Sequence, residues 1–299
     1  MASMIHEHDA ASPSSASATM PCPNEEGLEQ ELCAALEESL GSAHGFDSDG
    51  FEYESLAHLW NVEGNRTPAP AADTPGWYSD ALNYWDKCDP SVDGMLGGFG
   101  LISTEDCLGS KQFLAKVKTL RPGLGNERVV DCGAGIGRVT KFLLGPLFHD
   151  LHLLEQSPPL IAKAPEYLGP EMSSRATFIC SGMQAFSPPV GTYDVVWIQW
   201  VIGHLTDADL VSFLKRCSEA LKPSGVICIK DNTFASDFKA REHDGSTEHF
   251  CVDREDSSMT RSPNYFEAIF NFAGFQVILK ERQKNFPEEL FPVYIYALA

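Results

Sequence analysis

Three glycines stand directly behind a short apolar stretch near the middle of the chain. Residues 129–138 read VVDCGAGIGR, so Gly133, Gly135 and Gly137 are expected to follow a buried strand and open a helix. Glycines at such a turn let the backbone come close to a ligand at the carboxyl end of a sheet. The pattern alone is a weak signal, because several nucleotide-like ligands are bound in this way.

The spacing of these glycines distinguishes among the ligands. A dinucleotide-binding loop, G-x-G-x-x-G, needs its third glycine where Arg138 stands, and the Gly-Lys-Ser/Thr end of a phosphate-binding loop is missing from this stretch. The spacing G-x-G-x-G is usual when the ligand is S-adenosylmethionine, which has no pyrophosphate. The glycines therefore favour an S-adenosylmethionine site.

Other side chains extend this predicted cofactor site. Glu155 ends the second predicted strand, 22 positions after Gly133, where a carboxylate can accept both ribose hydroxyls, as it also does in NAD enzymes. Arg138 is placed to pair with the methionine carboxylate through its forked guanidinium. The alternatives are a solvated charge for Arg138 and a surface acid for Glu155. The predicted set is Gly133, Gly135, Arg138, Glu155, Gln156, Ser157, Met183 and Gln184, in which the Met183 thioether and the Gln184 amide meet the adenine.

Strands and helices that could position these groups alternate from about residue 127 onward. The predicted strands are 128–131, 151–155, 177–181, 193–198, 226–230, 275–283 and 293–297. The clearest helix runs over 206–221, where Thr206 can cap the start and Leu210, Phe213, Leu214, Cys217 and Leu221 form one apolar stripe. Strict alternation of strand and helix predicts parallel pairing with crossover helices.

The last two predicted strands break this alternation. Only residues 285–290 separate them, which is too short for a crossover helix, so they must pair antiparallel. We predict an α/β fold with a seven-stranded sheet, mostly parallel with an antiparallel C-terminal hairpin strand, and helices on both faces. This is the Rossmann-like layout of the class I S-adenosylmethionine methyltransferases.

Composition divides the 299-residue chain into two parts. Residues 1–80 carry 15 Asp/Glu and a single Arg, and so contribute −14 to the net charge of −20. We predict that residues 1–75 are an acidic, largely disordered extension with a possible short helix, in which Leu28, Leu32, Leu36 and Leu40 recur every four residues. That helix either lies on its own domain or binds a partner. Residues 76–299 are the predicted methyltransferase domain, with substrate-side helices in 76–120 and the cofactor-binding core in 121–299.

Charge and cysteine use exclude several classes of function. The acidic balance argues against a nucleic-acid substrate and suits a basic partner. No signal peptide and no apolar run near the roughly 20 residues of a membrane span is present in the sequence. The nine cysteines form no Cys-x-x-Cys pair, which argues against a metal site and against disulfides and fits a reduced compartment, the cytoplasm and/or nucleus.

Two further stretches carry a family resemblance. One runs from Tyr84-Trp85-Asp86 through SVDGMLGGFG at 91–100, and the other reads WIQWVIGHLTD at 197–207, followed by IKDN at 229–232. Together with DCGAGIGR they resemble the α-N-terminal protein methyltransferases, which act on proteins that begin Xaa-Pro-Lys or Xaa-Pro-Arg. The resemblance runs from about Trp77 to the C-terminus.

The resemblance implies roles for individual residues. It implies cofactor contacts at Gly133, Arg138, Glu155, Gln184 and Gln199. On the substrate side it implies Trp85, Leu96, Gly97, Ile102, Trp200, Asp253 and Ser258, together with His204, Asn232 and Asp256. Basic protein N-termini are the implied substrates.

The implied chemistry needs a neutral amine, and this explains why only a modest base is required. An α-amino group has a pKa of roughly 7.7–8, so about a tenth or more is uncharged at pH 7, whereas a lysine with a pKa of about 10.4 is almost fully charged. Asp256 and His204 are the candidates for this base, acting directly or through water, with Asn232 orienting the amine. A loop acid and a hydrogen-bonded histidine at a helix entrance are the ordinary alternatives for the first two.

The chain departs from the family pattern at three places. Glu155 stands where the family commonly has Asp, Phe291 stands where a tyrosine usually helps hold the substrate backbone, and the first 75 or so residues have no counterpart in short members. These departures leave open a class I methyltransferase for a small molecule, a methyltransferase-like binding module without turnover and, more remotely, an NAD oxidoreductase.

Overall fold

A seven-stranded sheet forms the centre of the protein. The computed structural model describes residues 25–66, 76–234 and 249–299. The strands of this sheet are β3 (Arg128–Cys132), β4 (Asp150–Glu155), β5 (Ala176–Cys180), β6 (Tyr193–Gln199), β7 (Leu221–Asn232), β10 (Val277–Arg282) and β11 (Val293–Leu298). Their order is β10-β11-β7-β6-β3-β4-β5, and only β11 runs against its neighbours. The predicted sheet is confirmed, since each predicted strand overlaps an observed one.

A second, smaller sheet lies beside the first. Its four strands are β1 (Gly45–Asp47), β2 (Glu52–Tyr53), β8 (Phe250–Asp253) and β9 (Ser258–Arg261). Their order in the sheet is β2-β1-β8-β9. The sequence prediction contained none of these strands, because each has at most four residues and shows no clear alternation.

Helices cover both faces of the large sheet, as predicted. They are α1 (Glu25–Leu40), α2 (Leu56–Gly64), α3 (Gly76–Trp85), α4 (Val92–Met95), α5 (Ser103–Leu120), α6 (Pro158–Leu168), α7 (Pro170–Ser173), α8 (Asp207–Ala220) and α9 (Pro263–Phe272), and a π-helical turn covers Thr140–Leu144. Residues of α1, α2, α3, α8 and α9 pack with Val196 and Ile198 of β6 on one face. Residues of α5 and α6 pack with Val195 and Trp197 on the other. Successive strand residues thus contribute to opposite cores, as the two-residue period of a strand requires.

Helix α8 and its boundaries agree closely with the sequence. The hydroxyl of Thr206 accepts a hydrogen bond from the backbone N–H of Asp209 at 3.2 Å, which caps the helix start. Leu210, Phe213, Leu214 and Cys217 of the predicted stripe are buried, whereas Leu221 is half-buried and already belongs to β7. The chain passes directly from α8 into β7 at Leu221.

The N-terminal part of the chain differs from the prediction. Residues 25–66, which we call the N-terminal segment, contain α1, β1, β2 and α2, and Leu32, Leu36 and Trp60 are buried in the same core as the large sheet. The prediction of a largely disordered 1–75 is therefore wrong for this part, because the acids of α1 lie around leucines that pack on α8 and α9. For residues 1–24 and 67–75 the predicted disorder lies outside the described residues. No helix within the described ranges is both long and apolar enough to cross a bilayer.

Candidate active site

Two adjoining cavities lie at the carboxyl ends of the central strands. The inner cavity has an open space of about 830 Å³ and reaches the glycine turn after β3. The outer cavity, of about 1170 Å³, extends to β8 and β9. Trp85, Met95, Trp200 and His204 line both, so a group in one cavity would meet a group in the other at this shared wall.

The predicted site residues assemble around these cavities with one exception. The inner cavity is lined by the predicted cofactor residues Gly133, Gly135, Arg138, Glu155, Gln156, Met183, Gln184 and Gln199. The outer cavity is lined by Trp85, Leu96, Gly97, Ile102, Trp200, His204, Asn232, Asp253, Asp256 and Ser258. The exception is Ser157, which is fully buried and whose hydroxyl donates to Asp86 at 2.6 Å rather than facing the cavity.

The glycine turn is shaped by close contacts that exclude larger residues. Gly133 has φ +69°, and a Cβ there would lie 2.6 Å from the Cβ of Val201. The Oε2 of Glu155 accepts the backbone N–H of Gly135 at 2.9 Å, and its Oε1 accepts that of Ser157 at 2.8 Å. Burial raises the pKa of Glu155. Its oxygens keep lone pairs for further donors, because an ionised carboxylate has about four acceptor sites.

A buried charge cluster lies at the other end of the inner cavity. The carboxylate of Asp106 contacts the Nζ of Lys230 at 2.5 Å and a guanidinium nitrogen of Arg138 at 2.7 Å. The amide of Gln199 also donates to Asp106, at 2.8 Å. Burial alone would raise the pKa of Asp106, but the two cations outweigh it and lower that pKa. Two cations face one carboxylate, so an anion beside Arg138 would balance the charge.

A strained turn carries Trp200 into both cavities. Trp200 has φ +53°, a conformation that is uncommon for residues with a side chain. Asp231, at the end of neighbouring β7, accepts the backbone N–H of Val201 at 3.2 Å and also bonds that of Ile202. Burial raises the pKa of Asp231 to about 7. The Asp231 carboxylate thus holds the turn after β6 that presents Trp200.

His204 has partners on both ring nitrogens. The indole Nε1 of Trp85 donates to the Nε2 of His204 at 3.0 Å, and the Nδ1 of His204 lies 3.1 Å from the carbonyl oxygen of Ser257. An indole nitrogen can only donate, so Nε2 is the acceptor and Nδ1 carries the proton. In this arrangement His204 fixes Trp85 and the chain at Ser257, and it has no free nitrogen to take another proton.

Asp256 has the features expected of a proton acceptor. Its Oδ1 is buried and has no hydrogen-bond partner among the described residues. Burial raises its pKa, and hydrogen bonds from Ser258 oppose this rise only in part. Asp253, on the same loop, is exposed and lies at the rim of the outer cavity. The loop therefore places one carboxylate in the cavity and another at its mouth.

Comparisons with known proteins decide the family. The family model described as AdoMet dependent proline di-methyltransferase matches residues 73–299. This chain belongs to that family. It is similar to the N-terminal Xaa-Pro-Lys N-methyltransferase 1 of Mus musculus, with 43% identity over 227 residues that cover 76% of this chain and 96% of the relative. It is similar also to the N-terminal Xaa-Pro-Lys N-methyltransferase 1-B of Xenopus laevis, with 44% identity over 229 residues, at the same coverage of both chains.

A solved structure supports the same family assignment. The chain resembles an S-adenosylmethionine-dependent methyltransferase from Leishmania major, with 36% identity, a TM-score of 0.75, and coverage of 86% of this chain and 96% of that one. This likeness covers more of the chain than the family model does, so it includes part of the sequence before residue 73. As a member of the AdoMet dependent proline di-methyltransferase family, this chain is an S-adenosylmethionine-dependent enzyme.

The inner cavity fits S-adenosylmethionine in charge and in donor set. The cluster of Arg138, Lys230 and Asp106 suits the methionine carboxylate. Glu155 suits the ribose hydroxyls, and Met183 and Gln184 suit the adenine. When bound, S-adenosylmethionine supplies an electrophilic methyl group on a sulfonium sulfur.

Several residues of the site escaped the sequence analysis. Met95 and Phe286 line the outer cavity, and the ring of Phe286 lies nearly parallel to that of Trp200, with 6.4 Å between centroids. Asp106 and Lys230 form the charge cluster, and Asp231 holds the turn. The sequence did contain a signal for Lys230 and Asp231, because a lysine and an aspartate are unusual within the apolar pattern of β7. For Asp106, on α5, the sequence held no local signal.

The departure at Phe291 is also visible in the structure. Its ring contacts Phe234, with 6.4 Å between centroids, and it lines a groove next to the outer cavity rather than the outer cavity itself. Phenylalanine has no hydroxyl, so the side chain at this position cannot give the hydrogen bond that a tyrosine could.

Proposed function

We propose that this enzyme methylates the α-amino group of proteins whose mature N-terminus reads Xaa-Pro-Lys or Xaa-Pro-Arg. The observation that carries the proposal is the wall of Trp85, Met95, Trp200 and His204, which joins a cavity suited to S-adenosylmethionine to a cavity rimmed by carboxylates. The curated relatives are named for Xaa-Pro-Lys N-termini, which supports the same substrate class.

The outer cavity matches the parts of such a terminus. Trp85 and Trp200 offer flat faces on which a proline ring can stack, and Leu96 and Ile102 add apolar wall. Asp253 at the rim accepts the backbone N–H of Glu255 on Oδ1 at 2.9 Å, and its exposed carboxylate can still pair with the side chain of a third-position Lys or Arg. The tryptophans therefore select the proline and the rim carboxylate selects the cation.

Two residues are assigned to the amine itself, and a third holds them in place. Asn232 lines the outer cavity and orients the amine, and Asp256 accepts its proton on the unpartnered Oδ1. An ionised carboxylate beside an amine raises the pKa of the amine, which opposes methylation unless the carboxylate takes the proton. The raised pKa of Asp256 favours that transfer. His204 holds Trp85 and the loop of Asp256 in place.

Alignment of the amine nitrogen with the methyl group and the sulfur provides the rest of the rate enhancement. Methyl transfer is an in-line displacement, so the nitrogen must lie opposite the sulfur at near-attack distance. The shared wall of the two cavities is the place where the amine and the methyl group meet. The enzyme needs only a modest base, because roughly a tenth or more of an α-amine is already neutral at pH 7.

The test is mass spectrometry of short peptides after incubation with the enzyme and S-adenosylmethionine. Ser-Pro-Lys and Ala-Pro-Lys peptides are expected to gain methyl groups on the α-amine. The same peptide with an acetylated N-terminus is expected to stay unmodified, and Ser-Pro-Gln to react more slowly. Methylation of the acetylated peptide, or none of the free one, would overturn the proposal.

A further inference from the structure

The N-terminal segment contacts the loop that carries the proposed amine-binding acid. This loop, residues 253–258, joins β8 to β9 and contains Asp253, Asp256 and Ser258; we call it the acidic loop. The family model begins at residue 73, so the segment lies outside the part of the chain that this model matches. Its contacts with the acidic loop occur on two sides.

The first contact is made by β1 and the turn that follows it. Strand β1 pairs in parallel with β8, and the backbone N–H of Ser48 donates to the carbonyl of Val252 at 2.8 Å. The buried carboxylate of Asp47 binds the guanidinium of Arg254 at 3.0 Å. The other oxygen of Asp47 accepts two backbone N–H groups of its own turn, so Asp47 is held firmly behind Arg254.

The second contact is made by Arg66, just after α2. Its guanidinium donates to the hydroxyl of Ser257 at 3.1 Å. The same guanidinium is anchored by Glu63 at 3.1 Å and by Asp80 at 3.1 Å. Glu63 is itself buried and accepts the hydroxyl of Tyr53 at 2.6 Å. The guanidinium of Arg66 is therefore held in place by two carboxylates when it binds Ser257, and is not a free surface side chain.

Ser257 transmits this contact to the shared wall of the cavities. It is fully buried and has φ +52°, a conformation that a side chain makes unfavourable and that neighbouring contacts must hold. Its carbonyl accepts the Nδ1 proton of His204, and the Nε2 of His204 accepts from Trp85. A continuous series of hydrogen bonds thus runs from Arg66 through Ser257 and His204 to Trp85.

We propose that the N-terminal segment positions the acidic loop for substrate, with Arg66 and Asp47 as positioning residues that act through Ser257 and Arg254. The proposal rests on the proposed function, since it assigns the loop to the peptide. Neither residue lines either cavity. Their removal should therefore disturb Asp256 and Asp253 and leave the binding of S-adenosylmethionine unchanged.

The experiment measures kcat and KM for a Ser-Pro-Lys peptide in Arg66→Ala, Ser257→Ala and the double variant. Each single variant is expected to lower kcat/KM by about tenfold, the usual effect of losing a hydrogen bond to a charged group. The double variant is expected to lose no more than the worse single one, because both changes break the same link. Calorimetry should give an unchanged Kd for S-adenosylmethionine.

Two further variants keep the test decisive. Lys163→Ala removes an exposed ion pair with Glu166 on α6 and should leave kcat/KM at the wild-type value. Asp47→Asn keeps the shape of the buried side chain while removing its charge, and should raise the peptide KM even if Arg66→Ala folds poorly. Wild-type kinetics in both Asp47→Asn and Arg66→Ala, or additive losses in the double variant, would overturn the proposal. Failure of the wild-type enzyme on the peptide would instead overturn the proposed function.

Discussion

At the scale of single residues, the structure separates two candidates that the sequence left equal. His204 and Asp256 both line the outer cavity. The nitrogens of His204 are occupied by Trp85 and Ser257, whereas Asp256 keeps a buried oxygen without a partner among the described residues. A proton acceptor needs a free lone pair, and for this reason we propose Asp256 rather than His204 as the base.

Asp256→Asn is expected to lower kcat by about 100-fold or more, the usual loss when a positioned base is removed. In the wild type, kcat/KM should rise with pH as both the amine and Asp256 lose their protons, and because burial raises the pKa of Asp256 this rise begins at a higher pH than for an ordinary aspartate. In the variant the residual rise should follow only the amine, near about pH 7.7–8. The measurement is a pH–rate profile with the Ser-Pro-Lys peptide.

Asp253→Asn is the matched control, because it removes a carboxylate from the same loop but at the exposed rim. It should raise the peptide KM and retain most of the kcat. Equal losses of kcat in Asp253→Asn and Asp256→Asn would contradict the assignment of the base.

At the scale of elements, a residue at the end of β7 holds the turn that follows β6. The two strands are parallel neighbours, so their last residues lie side by side at the edge of the sheet. Asp231 uses this proximity to bind the backbone of the turn that presents Trp200. For this contact the Asp231 carboxylate must be buried, and burial raises its pKa to about 7.

The raised pKa of Asp231 predicts that the stability of the protein depends on pH. Asp231 titrates near its usual value of 3.8 in the unfolded chain and at about 7 in the folded protein. Between these values the folded state holds a proton that the unfolded state has released, so the free energy of unfolding falls as pH rises, by on the order of a few kcal/mol in all. Asp231→Asn cannot ionise, and urea unfolding between about pH 4 and 7.5 should therefore show a smaller fall. Glu166→Gln, at an exposed acid, should keep the wild-type slope; the same slope in Asp231→Asn would contradict the assignment.

At the scale of the whole molecule, the N-terminal segment and the family domain share one core. Leu36 of α1 is fully buried with residues of α8 and α9, and Trp60 of α2 donates through its indole to Asp207 at 2.7 Å. That carboxylate also binds Arg261 of β9 and the hydroxyl of Tyr265 of α9. The segment is thus packed into the structure that bears the acidic loop.

Leu36→Ala should destabilise the whole protein rather than a separate unit. Truncating a fully buried leucine costs about 2–5 kcal/mol, and urea unfolding should remain a single transition at a lower midpoint. Val190→Ala, at a residue that is 79% exposed, should leave the midpoint almost unchanged. A wild-type midpoint for Leu36→Ala would mean that α1 does not pack on this core in solution.

The sequence by itself determined the large sheet, helix α8 and most of the site. Strand and helix periods are local, and in a parallel sheet the residues that follow successive strands meet at one edge, so Gly133, Glu155 and Gln184 could be grouped from chain order alone. The family resemblance added Gln199. Family motifs then added Asn232 and Asp256 on the substrate side.

Only the tertiary structure decided which of these side chains have hydrogen-bond or ion-pair partners and which do not. The bonds of Arg66 to Ser257, of Lys230 to Asp106 and of Trp85 to His204 each join residues more than a hundred positions apart. No local pattern encodes such pairs, because they depend on which elements pack together and not on the period within any one of them. Residues 25–66 likewise have the acidic composition of a disordered tail, yet their leucines are part of the core. This depends on the apolar surface that other elements provide, which the local sequence does not show.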